Sequence, residues 1–244
     1  MSDASAVSAS DYRRTAVMGL LTVLAGAVDA ISFLTMGHVF CALATGNVLF
    51  LAFALAGEGD VPVARPATTI AGFVLGAAVS GVVLKRLADR GRPWFPVGLT
   101  GEALLLAGGG AVVLLRHGTG PVGDTSDFFG IGLVSLAMGV RASTALRMRV
   151  PGMPTLLSQT AIAELVNDVL NRPAGLLRGA SPLQRLARTR WTATVVGIFL
   201  GGALSTLLLV PLGTGWALLV IAVLVVIVAV FAMLVPLEKR QQGT

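Results

Sequence analysis

Apolar residues run in long blocks along the chain, interrupted by short polar or glycine–proline breaks. Eight blocks stand out, near residues 15–36, 39–56, 67–88, 95–116, 127–147, 154–170, 191–211 and 214–235. Several approach or exceed twenty residues, about the length at which a helix crosses the hydrocarbon core. The sixth block is the poorest, being short and containing Gln159, Glu164, Asn167 and Asp168. The blocks also repeat. Gly72-Phe73-Val74-Leu75-Gly76-Ala77-Ala78-Val79-Ser80-Gly81 returns as Gly197-Ile198-Phe199-Leu200-Gly201-Gly202-Ala203-Leu204-Ser205-Thr206, with five of ten positions identical. Gly19-Leu20-Leu21-Thr22 with Gly26 returns as Gly132-Leu133-Val134-Ser135 with Gly139. An offset of 113 relates the first two blocks of each half, and 125 the third. A duplicated membrane chain places its working site where the two copies meet.

Composition agrees with the pattern. Hydrophobic residues make up 55% and charged residues 12% of the chain, and mean hydropathy is +0.85. A water-soluble domain of 244 residues has too little interior for that much apolar surface. The 30 glycines suit close helix packing in lipid. The net charge of +6 raises the question of nucleic acid. The basic residues sit at the ends of apolar blocks, without interleaved aromatics, which fits orientation and anionic headgroups instead. Cys41 is the single cysteine, which excludes an intramolecular disulfide and a thiolate metal cluster. The first apolar block is too long for a signal-peptide core and reads as a retained span.

Lys and Arg set the expected threading. If all eight blocks cross from a cytoplasmic N-terminus, the basic residues divide 11 inside to 6 outside. If the second and sixth blocks dip in and return, the division becomes 15 to 2, with only Arg65 and Arg116 outside and Arg141 within a span. The second arrangement is preferred. It predicts an all-α integral membrane protein of six transmembrane helices plus two re-entrant or broken elements, a 3+3 inverted repeat with both termini cytoplasmic. The divisions are a polar tail over 1–14, a first repeat over 15–116, a second over 127–235 and a tail over 236–244.

The densest polar constellation is Val28-Asp29-Ala30, then Gly37-His38-Val39-Phe40, then Thr45-Gly46-Asn47 ahead of an apolar run. On these residues the chain resembles the YoaK-like family of uncharacterised bacterial transmembrane proteins, over nearly its whole length. The second half departs from the family pattern. Gly139-Val140-Arg141-Ala142-Ser143 stands where Gly-Leu-Gln-Asn-Ala is usual, and Ser158-Gln159 where a second Thr-Gly is expected. The resemblance implies an integral inner-membrane protein and brings no established activity.

The residues themselves suggest chemistry. Asp29, about two turns from the outer end of its helix, is a carboxylate in an apolar span and a candidate proton or cation coupling site. It can also serve only to fix helix packing. Gly37 and Gly46 let the backbone bend, and Thr45 or Asn47 is expected to cap a helix over about 47–56 whose N-terminus favours an anion. The plainer reading is a polar packing motif in an ordinary span. In the partner element, Pro151-Gly152-Met153-Pro154 stops a helix. Ser158, Gln159 and Thr160 match Thr45, Gly46 and Asn47, and Glu164 lies one turn beyond. An amphipathic helix at the inner surface is the equal alternative. Arg141 either meets an acid such as Asp29 or snorkels to headgroups. Glu102 is expected to be an interfacial carboxylate, and the glycine rows at 72/76 and 197/201 to be scaffold.

The substrate-binding set is therefore Asp29, Thr45, Gly46, Asn47, Arg141, Ser158, Gln159, Thr160 and Glu164. The expected function is secondary transport of a small anionic or zwitterionic solute, with proton coupling through Asp29. A passive pore, or a membrane scaffold or sensor working through the basic 171–190 connection, are the alternatives. No catalytic set, metal site or cofactor is expected, and no nucleic-acid partner. The bilayer and a small solute are the partners, with homo-oligomerisation open.

Overall fold

The computed structural model describes residues 7–58, 61–117, 128–151, 153, 158–171 and 181–235. All regular structure among these residues is helical: α1 (Ala9–Thr35), α2 (Ala44–Leu55), α3 (Ala64–Asp89), α4 (Trp94–His117), α5 (Phe128–Met148), α6 (Ser158–Asn171) and α7 (Pro182–Leu234). Five of these, α1, α3, α4, α5 and α7, are long and apolar enough to cross a membrane. The protein is a multi-pass membrane protein.

Two elements differ from the sequence reading. The polar N-terminal stretch is already helical from Ala9, because Ser8 and Asp11 form a capping box. The seventh and eighth apolar blocks belong to α7, which begins at Pro182, well inside the basic connection, behind a second capping box made by Ser181 and Gln184. A straight helix of its 53 residues would be about 80 Å long, more than twice the apolar thickness of a bilayer. It is not straight. Gly213 has φ 71° and ψ 177°, two residues after Pro211. Proline removes a helical hydrogen bond, and glycine supplies the left-handed φ that turns the chain.

The limbs on either side of this break have different partners. The limb before Gly213 packs on α1, and the limb after it packs on α4. Contacts between α1 and α7 rise together along both helices, from Thr15–Arg190 through Gly19–Ala193 to Gly201 against Val23. The two helices are therefore parallel. α3 and α5 are parallel for the same reason, from Gly72 against Gly132 to Gly81 beside Ser143. Arg14 donates to the Met148 carbonyl, so the start of α1 meets the end of α5. Arg65, in the first turn of α3, lies against Gly37 just beyond α1. The α1/α7 pair thus runs opposite to the α3/α5 pair.

The two parallel interfaces are built from matching positions. A Cβ on Gly26 would lie 2.7 Å from the Ile198 carbonyl oxygen, and one on Gly139 would strike the Phe73 carbonyl. Gly76 faces the Leu136 carbonyl as Gly201 faces that of Val23. Gly72 lies under the Gly132 carbonyl as Gly197 lies under that of Gly19. Each match keeps the 113 and 125 offsets of the sequence. In lipid no hydrophobic effect draws helices together, so close van der Waals packing does. Ser143 adds a hydrogen bond of 2.8 Å to the Ala77 carbonyl across α3/α5. The glycine rows are scaffold.

One end of the bundle is basic. It gathers the start of α1, the end of α3, the start of α4, the end of α5 and the start of α7. At the opposite end α4 meets α5, with the Arg116 guanidinium 5.2 Å from the Phe129 ring.

Replacing Gly76 or Gly201 by leucine is expected to cost about 1–3 kcal/mol through overpacking and to lower the melting temperature in detergent. Gly202→Leu, where an added Cβ meets nothing within 4 Å, is expected to leave it unchanged. Equal losses at Gly201 and Gly202 would contradict the packing described here.

Candidate functional site

The break between α1 and α2 is the first polar centre. α2 has 12 residues, about 18 Å of helix, too short for the roughly 30 Å core. Its first turn also starts at the depth of Asp29, six residues before the end of α1. Residues 36–43 therefore leave α1, double back alongside it, and only then coil into α2. Non-helical backbone at that depth survives only if its amides and carbonyls find partners. Side chains supply them. The Ala42 and Leu43 amides donate to Asp29 Oδ1 at 2.6 and 3.3 Å. The Cys41 amide donates to Ser32 Oγ at 3.3 Å. The Phe40 amide donates to Asn47 Oδ1 at 3.1 Å, and Asn47 Nδ2 donates back to the Phe40 carbonyl.

The motif residues have distinct tasks here. Asn47 is fully buried and clamps Phe40; it does not cap α2, whose N-cap residue is Leu43 with no side-chain cap bond. Gly46 leaves room for the Phe40 ring, since a Cβ would lie 2.9 Å from Phe40 Cδ2. That ring stacks between Phe33 and Phe50, at centroid distances of 4.7 and 6.0 Å. Gly37 and His38 take left-handed φ values of 92° and 59° to reverse the chain. Thr45 is exposed. Ser135 on α5 donates to Cys41 Sγ at 3.4 Å, tying the doubled-back segment to the second half.

The second polar centre is an ion pair. Arg141 on α5 and Glu102 on α4 both have 0% side-chain exposure. Arg141 Nε donates to Glu102 Oε2 at 2.6 Å, and Nη2 donates to Oε1. Nη1 donates to the Leu21 carbonyl of α1. Arg141 thus neither meets Asp29 nor snorkels. Glu102 is not interfacial, and it is the residue that sequence reading underrated. Its signal was a lone acid eight residues inside an apolar helix. Its partner lies 39 residues away and becomes visible only when α4 and α5 pack antiparallel.

The second broken element is less complete. Gln159, Thr160 and Glu164 are exposed on α6. The Ser158 side chain and residues 152 and 154–157 of the proline-bracketed entry lie outside the described residues, as do 172–180 of the basic connection. Asp168 on α6 is buried and pairs with Arg188 on α7. α2 packs along α3 and α6 along α7, so the expected facing of Thr45, Gly46 and Asn47 by Gln159 and Thr160 is not among the described contacts. The centres that are assembled are Asp29 with Asn47, and Arg141 with Glu102. Among the described residues no group of three His, Cys, Asp or Glu is placed to hold a metal ion.

Removing one member of a buried ion pair strands the other's charge. Glu102→Ala is expected to destabilise the protein by about 3–5 kcal/mol, and Glu102→Leu with Arg141→Met to recover most of that loss. Thermal unfolding of Glu102→Ala, of Glu102→Leu and Arg141→Met singly, and of the double variant in detergent reads this directly. Additive losses would mean the two side chains do not interact.

Comparison with known proteins agrees with the membrane reading. Over 167 residues the chain is 28% identical to the UPF0700 transmembrane protein YoaK of Bacillus subtilis (strain 168), covering 68% of this chain and 71% of that one. No solved structure matches it. The family described as "Protein of unknown function (DUF1275)" matches residues 17–231. With nearly all of the helical bundle inside that match, the chain belongs to the DUF1275 family.

Proposed function

We propose that this protein is a secondary transporter, not an enzyme, and that it carries a small anionic or zwitterionic solute across a bacterial inner membrane. Its basic end faces the cytoplasm, with both termini, by the positive-inside rule. The observation that carries the reading is the sealed Arg141–Glu102 pair, shared by helices from both halves. Apolar residues of equal volume would fill the space at no electrostatic cost, and charged groups inside a membrane bundle mark solute or ion paths. The guanidinium fork matches a carboxylate. A solute carboxylate or inorganic anion therefore competes with Glu102 for the same seat.

Asp29 is the coupling site in this mechanism. Its charge holds the Ala42 and Leu43 amides. A proton arriving on the carboxylate weakens that grip and frees the doubled-back segment. The matched interfaces, with parallel pairs running in opposite senses, support an inverted repeat of three crossings per half. Rocking of one half on the other then gives alternating access.

The test starts from a thermal-shift screen of small organic acids, amino acids and inorganic anions, followed by uptake of a stabilising compound into proteoliposomes. Uptake is expected to saturate and to rise when the outside is made acidic. Asp29→Asn is expected to keep the thermal shift and lose the stimulation by the pH gradient, and Arg141→Gln to lose both. Unsaturable flux, or an Asp29→Asn protein still driven by the gradient, overturns the mechanism. For the threading, a cysteine at Glu58 is expected to label from outside and one at Arg90 only from inside, in a Cys41→Ala background.

A further inference from the structure

At the basic end a cleft of about 560 Å³ opens between α3, α4 and α5. Its floor is Gly81 and Ser143, its walls include Leu84 and Leu146, and its rim carries Trp94, Arg147 and Arg149. Gly81 lies eight residues before the end of α3, so the cleft reaches about 12 Å along the helices from the rim. Two features set its chemistry. Among the described residues no carboxylate lines it, whereas the arginines at positions 141 and 188 are each paired to an acid. Arg147 lies with its guanidinium 5.6 Å from the centre of the Trp94 ring, which holds the cation at the rim. Arg149, exposed and in left-handed backbone with φ 50°, adds a second cation beside the half-buried Arg147.

The occupant must be anionic at the rim and apolar below. Leu146 is 73% exposed on the outer wall, which opens the cleft sideways toward lipid tails. Tryptophan at the rim is the residue that settles at headgroup level. We propose that this cleft binds an anionic phospholipid, its phosphate between Arg147 and Arg149 and its first acyl carbons along Leu84 and Leu146. Basic recesses between helices at the cytoplasmic face recognise such headgroups. The inference stands apart from the transport mechanism, because neither Arg141 nor Asp29 takes part in it.

The experiment uses the purified full-length protein in neutral detergent, with binding read by native mass spectrometry and stability by thermal unfolding. The probes are phosphatidylglycerol, phosphatidylcholine and inorganic phosphate. Phosphatidylglycerol is expected to bind in preference to phosphatidylcholine and to raise the melting temperature. Arg147→Gln with Arg149→Gln is expected to weaken phosphatidylglycerol binding by about 30-fold, from the contribution of two surface cations. Leu146→Trp, which narrows the cleft and keeps both arginines, is expected to weaken it as well. Arg90→Gln with Arg92→Gln, on the neighbouring turn, is expected to leave the preference intact. Four outcomes overturn the proposal: equal binding of phosphatidylcholine, preference retained by the Arg147/Arg149 variant, equal loss in the Arg90/Arg92 variant, or inorganic phosphate alone reproducing the stabilisation.

Discussion

Backbone amides inside a bilayer must be hydrogen-bonded, and a chain that leaves helical geometry there has to bring its own partners. That constraint accounts for most of what is unusual in the first half of this protein. Residues 36–43 run non-helically beside α1, and the amides from Phe40 to Leu43 are met by Asn47, Ser32 and Asp29. Side chains satisfy these amides in place of a helical or strand ladder. Three short polar side chains, on two helices, define the path of the segment. The Val-Asp-Ala and Thr-Gly-Asn motifs are two sides of one clamp, and Gly46 is small because the clamped ring of Phe40 lies over it.

The second half does not copy this clamp. The position matching Asp29 is Ala142, and the position matching Asn47 is Thr160. Next to that site stands Arg141, one residue earlier, and it reaches Glu102 and the Leu21 carbonyl in the first half. One half thus holds a backbone in place, and the other supplies a cation to the middle of the bundle. The helix contacts match between the two halves, and the polar chemistry does not.

Much of the scaffold was legible in the order of residues. Glycine rows at 72/76 and 197/201 read as scaffold from the sequence, and they lie at the two interfaces, where a Cβ would strike the neighbouring backbone. The charge count, with the glycines at 37 and 46, marked α2 as broken. What could not be read was pairing across distance. Nothing local to Glu102 or Arg141 names the other as its partner. Asn47 looks like a helix cap in one dimension and becomes a clamp only when Phe40 folds back on it. The start of α7 was missed for a local reason. Its polar, basic first turns resemble a loop in hydropathy, and the Ser181/Gln184 box that starts the helix is a short signal.

The parallel pairing of α1 with α7 also has a consequence for how the molecule is made. Gly26 and its neighbour Ile198 are 172 residues apart in the chain. At a ribosomal rate of about 5–20 residues per second, α1 waits roughly 10–30 s for that neighbour to emerge. Arg141 follows Glu102 after only 39 residues, so the ionised couple can close while the glycine furrow of α1 still faces lipid. A furrow of glycine and alanine tolerates that delay, since it strands no charge. Assembly is ordered by which surfaces can afford to wait.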